Sequence, residues 1–110
     1  MQAAKFFFED YHVGDQYRSV SQLVDRQGVI EFATQWDPQP WHIDEAQAKE
    51  SMFGGLTACS EHIFSLFCLI GQQWEGGEQQ QVLACLGFDE MLMLKPVYAG
   101  DTLYCRHTIG

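Results

Sequence analysis

Basic residues are scarce in this chain. Six Lys and Arg stand against 15 Asp and Glu, a formal net charge of -9 over 110 residues. Nucleic-acid binding needs clustered cations to neutralise phosphates, so no nucleic-acid partner is expected. A phosphate-bearing ligand would have to rely on local cations such as Arg26, Lys49, Lys95 or Arg106. Disulfide-type spacing is missing as well. Cys59, Cys68, Cys85 and Cys105 contain no C-x-x-C pair, and two of them fall in an apolar run where a free thiol behaves as a small hydrophobe. That points to a reducing compartment. The N-terminal MQAAKFFFEDYHVGD has only three consecutive apolar aromatics, too few for a signal-peptide core or a membrane span, so a cytoplasmic, soluble chain with no membrane partner is expected. His42, Asp44, Glu61 and His62 show neither H-x-x-x-H nor H-E-x-x-H order, so no metal is expected. Repeats, low-complexity tracts and linkers are absent, which leaves a single domain over residues 1–110.

What is present suffices for a core: 46% of residues are hydrophobic and 14% aromatic. The chain is organised around residues 36–73. Asp37 and His42, five residues apart, sit in a segment expected to be a loop stiffened by Pro38 and Pro40, whose rings fix φ and keep the preceding residues out of helical geometry. The Gly54-Gly55 pair precedes an apolar run over residues 56–70, too hydrophobic on all sides for a surface helix. It reads as one long helix buried on most of its circumference.

Before this centre, residues 6–20 read as strand, Gly14-Asp15 turn and strand. Asp25 is placed to cap a helix running to about Gln35, with Val29, Ile30, Phe32 and Ala33 on its apolar face. Asp44 is placed to cap a short helix over residues 44–49. After it come three strand-like segments, residues 81–86, 91–94 and 102–109, separated by Gly87 to Glu90, by Pro96 and by the Ala99-Gly100-Asp101 turn. Met91 and Met93 alternate as inward strand positions do. Strands that must cover a buried helix make an α+β arrangement in which a sheet wraps a helix. His62 is expected in the core or an interface, and His12 and His107 at the surface or an edge.

Several of these pieces together resemble the MaoC-like dehydratases, or (R)-specific enoyl-CoA hydratases. They are Tyr11-His12-Val13-Gly14-Asp15, Asp37-Pro38-Gln39-Pro40-Trp41-His42-Ile43-Asp44, Ala48, Phe53-Gly54-Gly55 and Lys95-Pro96-Val97-Tyr98-Ala99-Gly100-Asp101. The resemblance implies a hotdog fold, an antiparallel sheet wrapped around one long buried helix, usually dimeric. It also implies a lyase of fatty acid metabolism that reversibly hydrates trans-2-enoyl thioesters, with no cofactor beyond the CoA or acyl-carrier handle of the substrate. Asp37 and His42 would hold the reacting water, either of them serving as the acid or the base. Backbone N–H groups around Cys59 and Ser60 would stabilise the enolate oxygen. Gln39, Trp41, Phe53, Gly54 and Gly55 would contact the substrate.

The chain departs from the family pattern in three places. Gln39 replaces the usual Asn and is one methylene longer, which displaces any hydrogen bond to water or substrate. Cys59-Ser60 replaces the frequent His-Gly and narrows the space for the thioester. The strand after Asp101 ends at Gly110, where family members usually continue, so a C-terminally shortened hotdog is expected, with an open sheet edge that favours a homodimer or higher homo-oligomer. These departures keep open a second reading, a hotdog acyl-thioester-binding or assembly module with weakened catalysis; a third, a hotdog thioesterase, would need its acid or base on the helix, where Glu61 is the candidate.

Overall fold

Two stretches far apart in sequence carry the main ladder. The computed structural model describes residues 5–75, 79–80 and 85–110. Its elements run β1 (Lys5–Phe6), a 3-10 turn (Phe8–Asp10), β2 (Gln16–Arg18), β3 (Gln22–Leu23), α1 (Arg26–Trp36), α2 (Pro40–Ile43), α3 (Glu45–Glu50), α4 (Ser60–Ile70), β4 (Gln79–Gln80), β5 (Thr102–Leu103) and β6 (Arg106–Thr108). β2 pairs antiparallel with β6, and β3 antiparallel with β5. β1 and β4 form a short parallel pair.

Residues 102–109, expected as one strand, are split at Tyr104–Cys105 because a side chain takes over the ladder there. Ser19, fully buried, donates its N–H to the Cys105 carbonyl at 2.9 Å, and its Oγ accepts the Cys105 N–H at 2.7 Å. The twofold alternation survives the break: Leu103, Cys105 and His107 face inward, while Tyr104, Arg106 and Thr108 are exposed. Pairing continues from Val24 N–H to the Asp101 carbonyl at 2.7 Å. Gly100 turns the chain there with a φ of +96°, a conformation that costs glycine nothing.

The first helices follow local signals. The Asp25 side chain accepts the Gly28 N–H at 3.2 Å and starts α1, whose Val29 and Ala33 are fully buried. Asp44 Oδ1 accepts the Gln47 N–H at 3.0 Å and starts α3. Arg26 joins the two helices through a bidentate 2.5 Å pair with Glu45. Val24, Val29, Ala48, Leu56 and Ala58 form the core between them and the ladder.

The apolar run over residues 56–70 divides differently from the expectation. Its first part is extended and pairs with residues 97–99, with Ala58 N–H donating to Val97 at 2.9 Å and Ala99 N–H to Leu56 at 3.0 Å. That part is the buried one. Leu56, Thr57, Ala58 and Cys59 are all buried, whereas in α4 only Ile70 is, and Phe67 and Leu69 are 40% and 46% exposed. The helix is therefore shorter than expected and not buried on most of its circumference. Among the described residues, α1 packs on one side of it and His107 of β6 stacks on Phe67, while Phe67 and Leu69 stay partly exposed.

The strand expected at residues 91–94 is not formed. Met91, Leu92, Met93 and Leu94 are 49%, 71%, 46% and 84% exposed, so the two Met are the less exposed of the four but neither is buried as an inward strand position would be. An apolar run becomes a strand only beside a ladder partner, and none of the described strands lies next to this one. Of the strand expected at residues 81–86, positions 81–84 lie outside the described residues, and Cys85 and Leu86 are exposed and unpaired in sheet terms. No helix among the described residues is long and apolar enough to cross a membrane.

Candidate active site

Asp37 and His42 are brought together by a helix end and a single helical turn, not by the stiff loop expected. α1 stops at Trp36, and Asp37 caps it with its N–H on the Ala33 carbonyl at 2.8 Å. Pro40 then opens α2 at its first position, where the missing N–H costs nothing, and this places His42 on the turn. The turn is stitched to the extended segment below it: Thr57 donates its N–H to Trp41 at 3.0 Å.

The Thr57 carbonyl lies 2.6 Å from His42 Nδ1. A carbonyl only accepts, so Nδ1 carries a proton, and in the neutral ring the lone pair is then on Nε2. That second nitrogen is 4.0 Å from Asp37 Oδ2, too far for a direct hydrogen bond. The imidazole is buried and the carboxylate is half-buried. Thr57 could not be found by reading motifs, because its contribution is a backbone carbonyl.

A cavity of about 350 Å³ opens beside this pair, with Trp41, His42, Phe53, Ser60, Ile63 and Lys95 in its wall. Cys59, buried, adjoins it at the N-cap of α4, and Ser60 is the first residue of that helix. The other residues assigned to substrate contact lie elsewhere. The Gln39 side chain is exposed and makes no capping bond on α2. Gly54 turns the chain with φ +68°, and Gly55 packs against the Tyr98 ring, whose hydroxyl donates to the Phe53 carbonyl at 2.8 Å.

Glu61 joins the group, although the sequence reading gave it a role only in the thioesterase alternative. Its carboxylate, the Asp37 carboxylate and the Cys59 thiol each place an atom within 4.8 Å of the others. Its own backbone N–H, and then the Cys59 thiol, hold the Glu61 carboxyl below the usual range. Burial pushes the Cys59 thiol up. The available signal was positional: an acid in the first turn of a helix is drawn toward the helix's positive end.

The remaining histidines lie apart from this cluster. His62 stacks on Phe32 with ring centroids 4.7 Å apart, and burial lowers its pKa. His107, expected at the surface or an edge, lies on β6, which has one described ladder partner, and is half-buried between Phe67 and Trp74 because alternation turns it inward there.

The sequence pattern of the MaoC-like domain matches residues 10–109. The chain belongs to the MaoC-like domain family. Among solved structures, a MaoC-like dehydratase from Rhodospirillum rubrum superposes with a TM-score of 0.78 at 32% identity, covering 94% of this chain and 69% of that one. The (R)-hydratase from A. caviae involved in PHA biosynthesis superposes with a TM-score of 0.62 at 25% identity, over 89% of this chain and 71% of that one. The uncharacterised YdeM of Bacillus subtilis (strain 168) is 26% identical over 96 residues, 87% of this chain and 67% of its own. These neighbours identify the α+β arrangement of this MaoC-like chain as a hotdog fold.

Proposed function

We propose that this MaoC-like chain is a hydratase/dehydratase acting reversibly on trans-2-enoyl and (R)-3-hydroxyacyl thioesters, with Asp37 and His42 as its dyad. Family membership and the hydratase neighbour support the reaction class. The observation that carries the dyad is the orientation of His42, whose Nδ1 is tied to the Thr57 carbonyl while Nε2 faces Asp37 Oδ2 at 4.0 Å beside the cavity. One water at ordinary hydrogen-bond distance, about 2.8 Å from each atom, spans that gap. In hydration the water oxygen bonds to C3 of the enoyl group as His42 Nε2 takes one of its protons. The electron pair moves onto the thioester oxygen, and a proton from the dyad then closes the C2–H bond. The start of α4, around Cys59 and Ser60, offers N–H groups to the transient enolate. Trp41 and Phe53 provide the apolar wall for the acyl group, whose handle is CoA or an acyl carrier, and no cofactor is required.

The test is a spectrophotometric hydration assay with crotonyl-CoA and longer enoyl-CoAs. Asp37→Asn and His42→Ala are each expected to lower turnover by about 100-fold or more with unchanged thermal melting. A variant that keeps wild-type turnover overturns the dyad. If the wild type neither hydrates nor binds any enoyl thioester, the hydratase reading falls. A second reading, a hotdog thioesterase, is favoured by the position of Glu61 beside Asp37. Release of free CoA from saturated acyl-CoA, lost in Glu61→Gln, would select it.

A further inference from the structure

Two cavities meet along one face of α4. The cavity beside His42 is walled by Ser60 and Ile63 on the helix and by Met93, Lys95 and Pro96 opposite. A second, of about 330 Å³, is walled by Ile63, Phe64 and Phe67 on the helix and by residues 88–93 opposite. Ile63 and Met93 line both, so the two form one groove. Residues 60, 63, 64 and 67 recur at the spacing of a single helix face, while the opposite wall runs the other way, from Pro96 at the His42 end to Phe88 at the far end. At the rise of an α-helix, Ser60 to Phe67 covers about 10 Å. The far half of the groove is apolar and open to water: Phe67, Phe88, Met91 and Met93 are each about half exposed. Its charged lining residues, Asp89 and Glu90, are both acids.

Given the hydratase reading above, on which this rests, we propose that the far half of the groove holds the alkyl end of the substrate, so that the preferred trans-2-enoyl thioesters are medium-chain, about eight to twelve carbons long. The thioester oxygen sits at the N–H groups that open α4, and from there an extended chain advances about 1.25 Å for each C–C bond of about 1.5 Å. A crotonyl chain then ends near Ile63 and fills only the cavity beside His42, whereas about eight carbons reach Phe67. The occupant is substrate and not a second protein surface, because the groove continues through Ile63 and Met93 into the cavity beside His42. Asp89 and Glu90 repel a second carboxylate, so the far end of the chain is plain alkyl. Methylenes this far from the reacting C2 and C3 interact alike with ground and transition states, and chain length therefore acts on KM and not on kcat.

The experiment has two arms, both on the full chain. Binding of the saturated thioesters butyryl-CoA and decanoyl-CoA is measured calorimetrically, and hydration is followed from crotonyl-CoA to trans-2-decenoyl-CoA. A methylene wholly withdrawn from water strengthens binding about four-fold, so half-covering about six of them should favour the decanoyl chain by about 50-fold. In the hydration arm the gain should fall in KM. Met91→Asp and Phe88→Asp each place a charge in the groove and should cut the ratio of long-chain to short-chain kcat/KM by about 10-fold, whereas a merely structural defect lowers both values and leaves the ratio alone. Equal affinity of the wild type for the two saturated thioesters overturns the proposal, a result that stands even if neither variant folds. So does a ratio that both variants leave unchanged. A dimer that Met91→Asp dissociates, in a wild type with no chain-length preference, gives the groove to a second copy and overturns it as well. The binding arm needs no turnover: a chain-length preference without hydration sinks the hydratase reading and supports the groove, while hydration at equal kcat/KM across the series sinks the groove alone.

Discussion

At the scale of single residues, the side chains that matter are set by their backbone neighbours. His42 is oriented by the Thr57 carbonyl, while Gln39, one position from the Pro40 turn, contributes only its main chain: its N–H donates to Asp37 at 2.8 Å and its carbonyl accepts the His42 N–H at 2.9 Å. Gln39→Asn should therefore leave turnover within about two-fold of wild type, since the lost methylene lies in solvent and the reacting groups do not move. A clear rise in turnover would show that the longer side chain obstructs the water. His62 and His107 bear on stability instead. Burial lowers both pKa values from 6.5, so below that pH the unfolded chain binds protons that the folded chain refuses. Stability is full above 6.5 and is lost as pH falls from there toward the folded values. The urea midpoint should drop between pH 7 and pH 5, and His62→Phe, which keeps the stacking surface on Phe32, should drop less. Equal acid sensitivity in wild type and variant would refute this account.

At the scale of elements, caps were legible and boundaries inside apolar runs were not. Asp25 and Asp44 start their helices as their positions announced, because an N-cap is a bond between residues three apart. Asp25→Ala should cost about 1 kcal/mol, lowering the melting temperature by roughly 4 °C or more, and an unchanged melt would remove the cap from the list of stabilising contacts. Residues 56–59 gave no such signal. A short apolar segment fits a helix or a strand equally by periodicity, and the choice went to the extended form because residues 97–99 offered hydrogen bonds to it. Residues 91–94 took neither form, and no described strand offers them a ladder partner.

At the scale of the whole molecule, the ladder edge and the uncovered helix face dominate. β6 pairs only with β2 among the described residues, while Phe67, Leu69 and Leu92 are 40%, 46% and 71% exposed. Apolar surface of this kind is hidden by association or leads to aggregation. We expect a homodimer at micromolar concentration by sedimentation equilibrium, and a shift toward monomer in Leu92→Lys. A soluble, well-folded monomer of the unmodified chain would overturn that expectation.

Local chemistry was enough to read the α+β class, the capped helices, the Gly100 turn and the placing of Asp37 and His42 in one short segment. Each of these depends on residues within a few positions of one another, or on a period that survives without its partners. Two features needed the folded chain: the contact that orients the His42 ring, and the arrival of Glu61 and Cys59 beside Asp37. Both arise from contacts across long sequence separation, such as the 2.6 Å contact from His42 to Thr57 15 residues away, and no periodicity within either segment encodes which group it will meet.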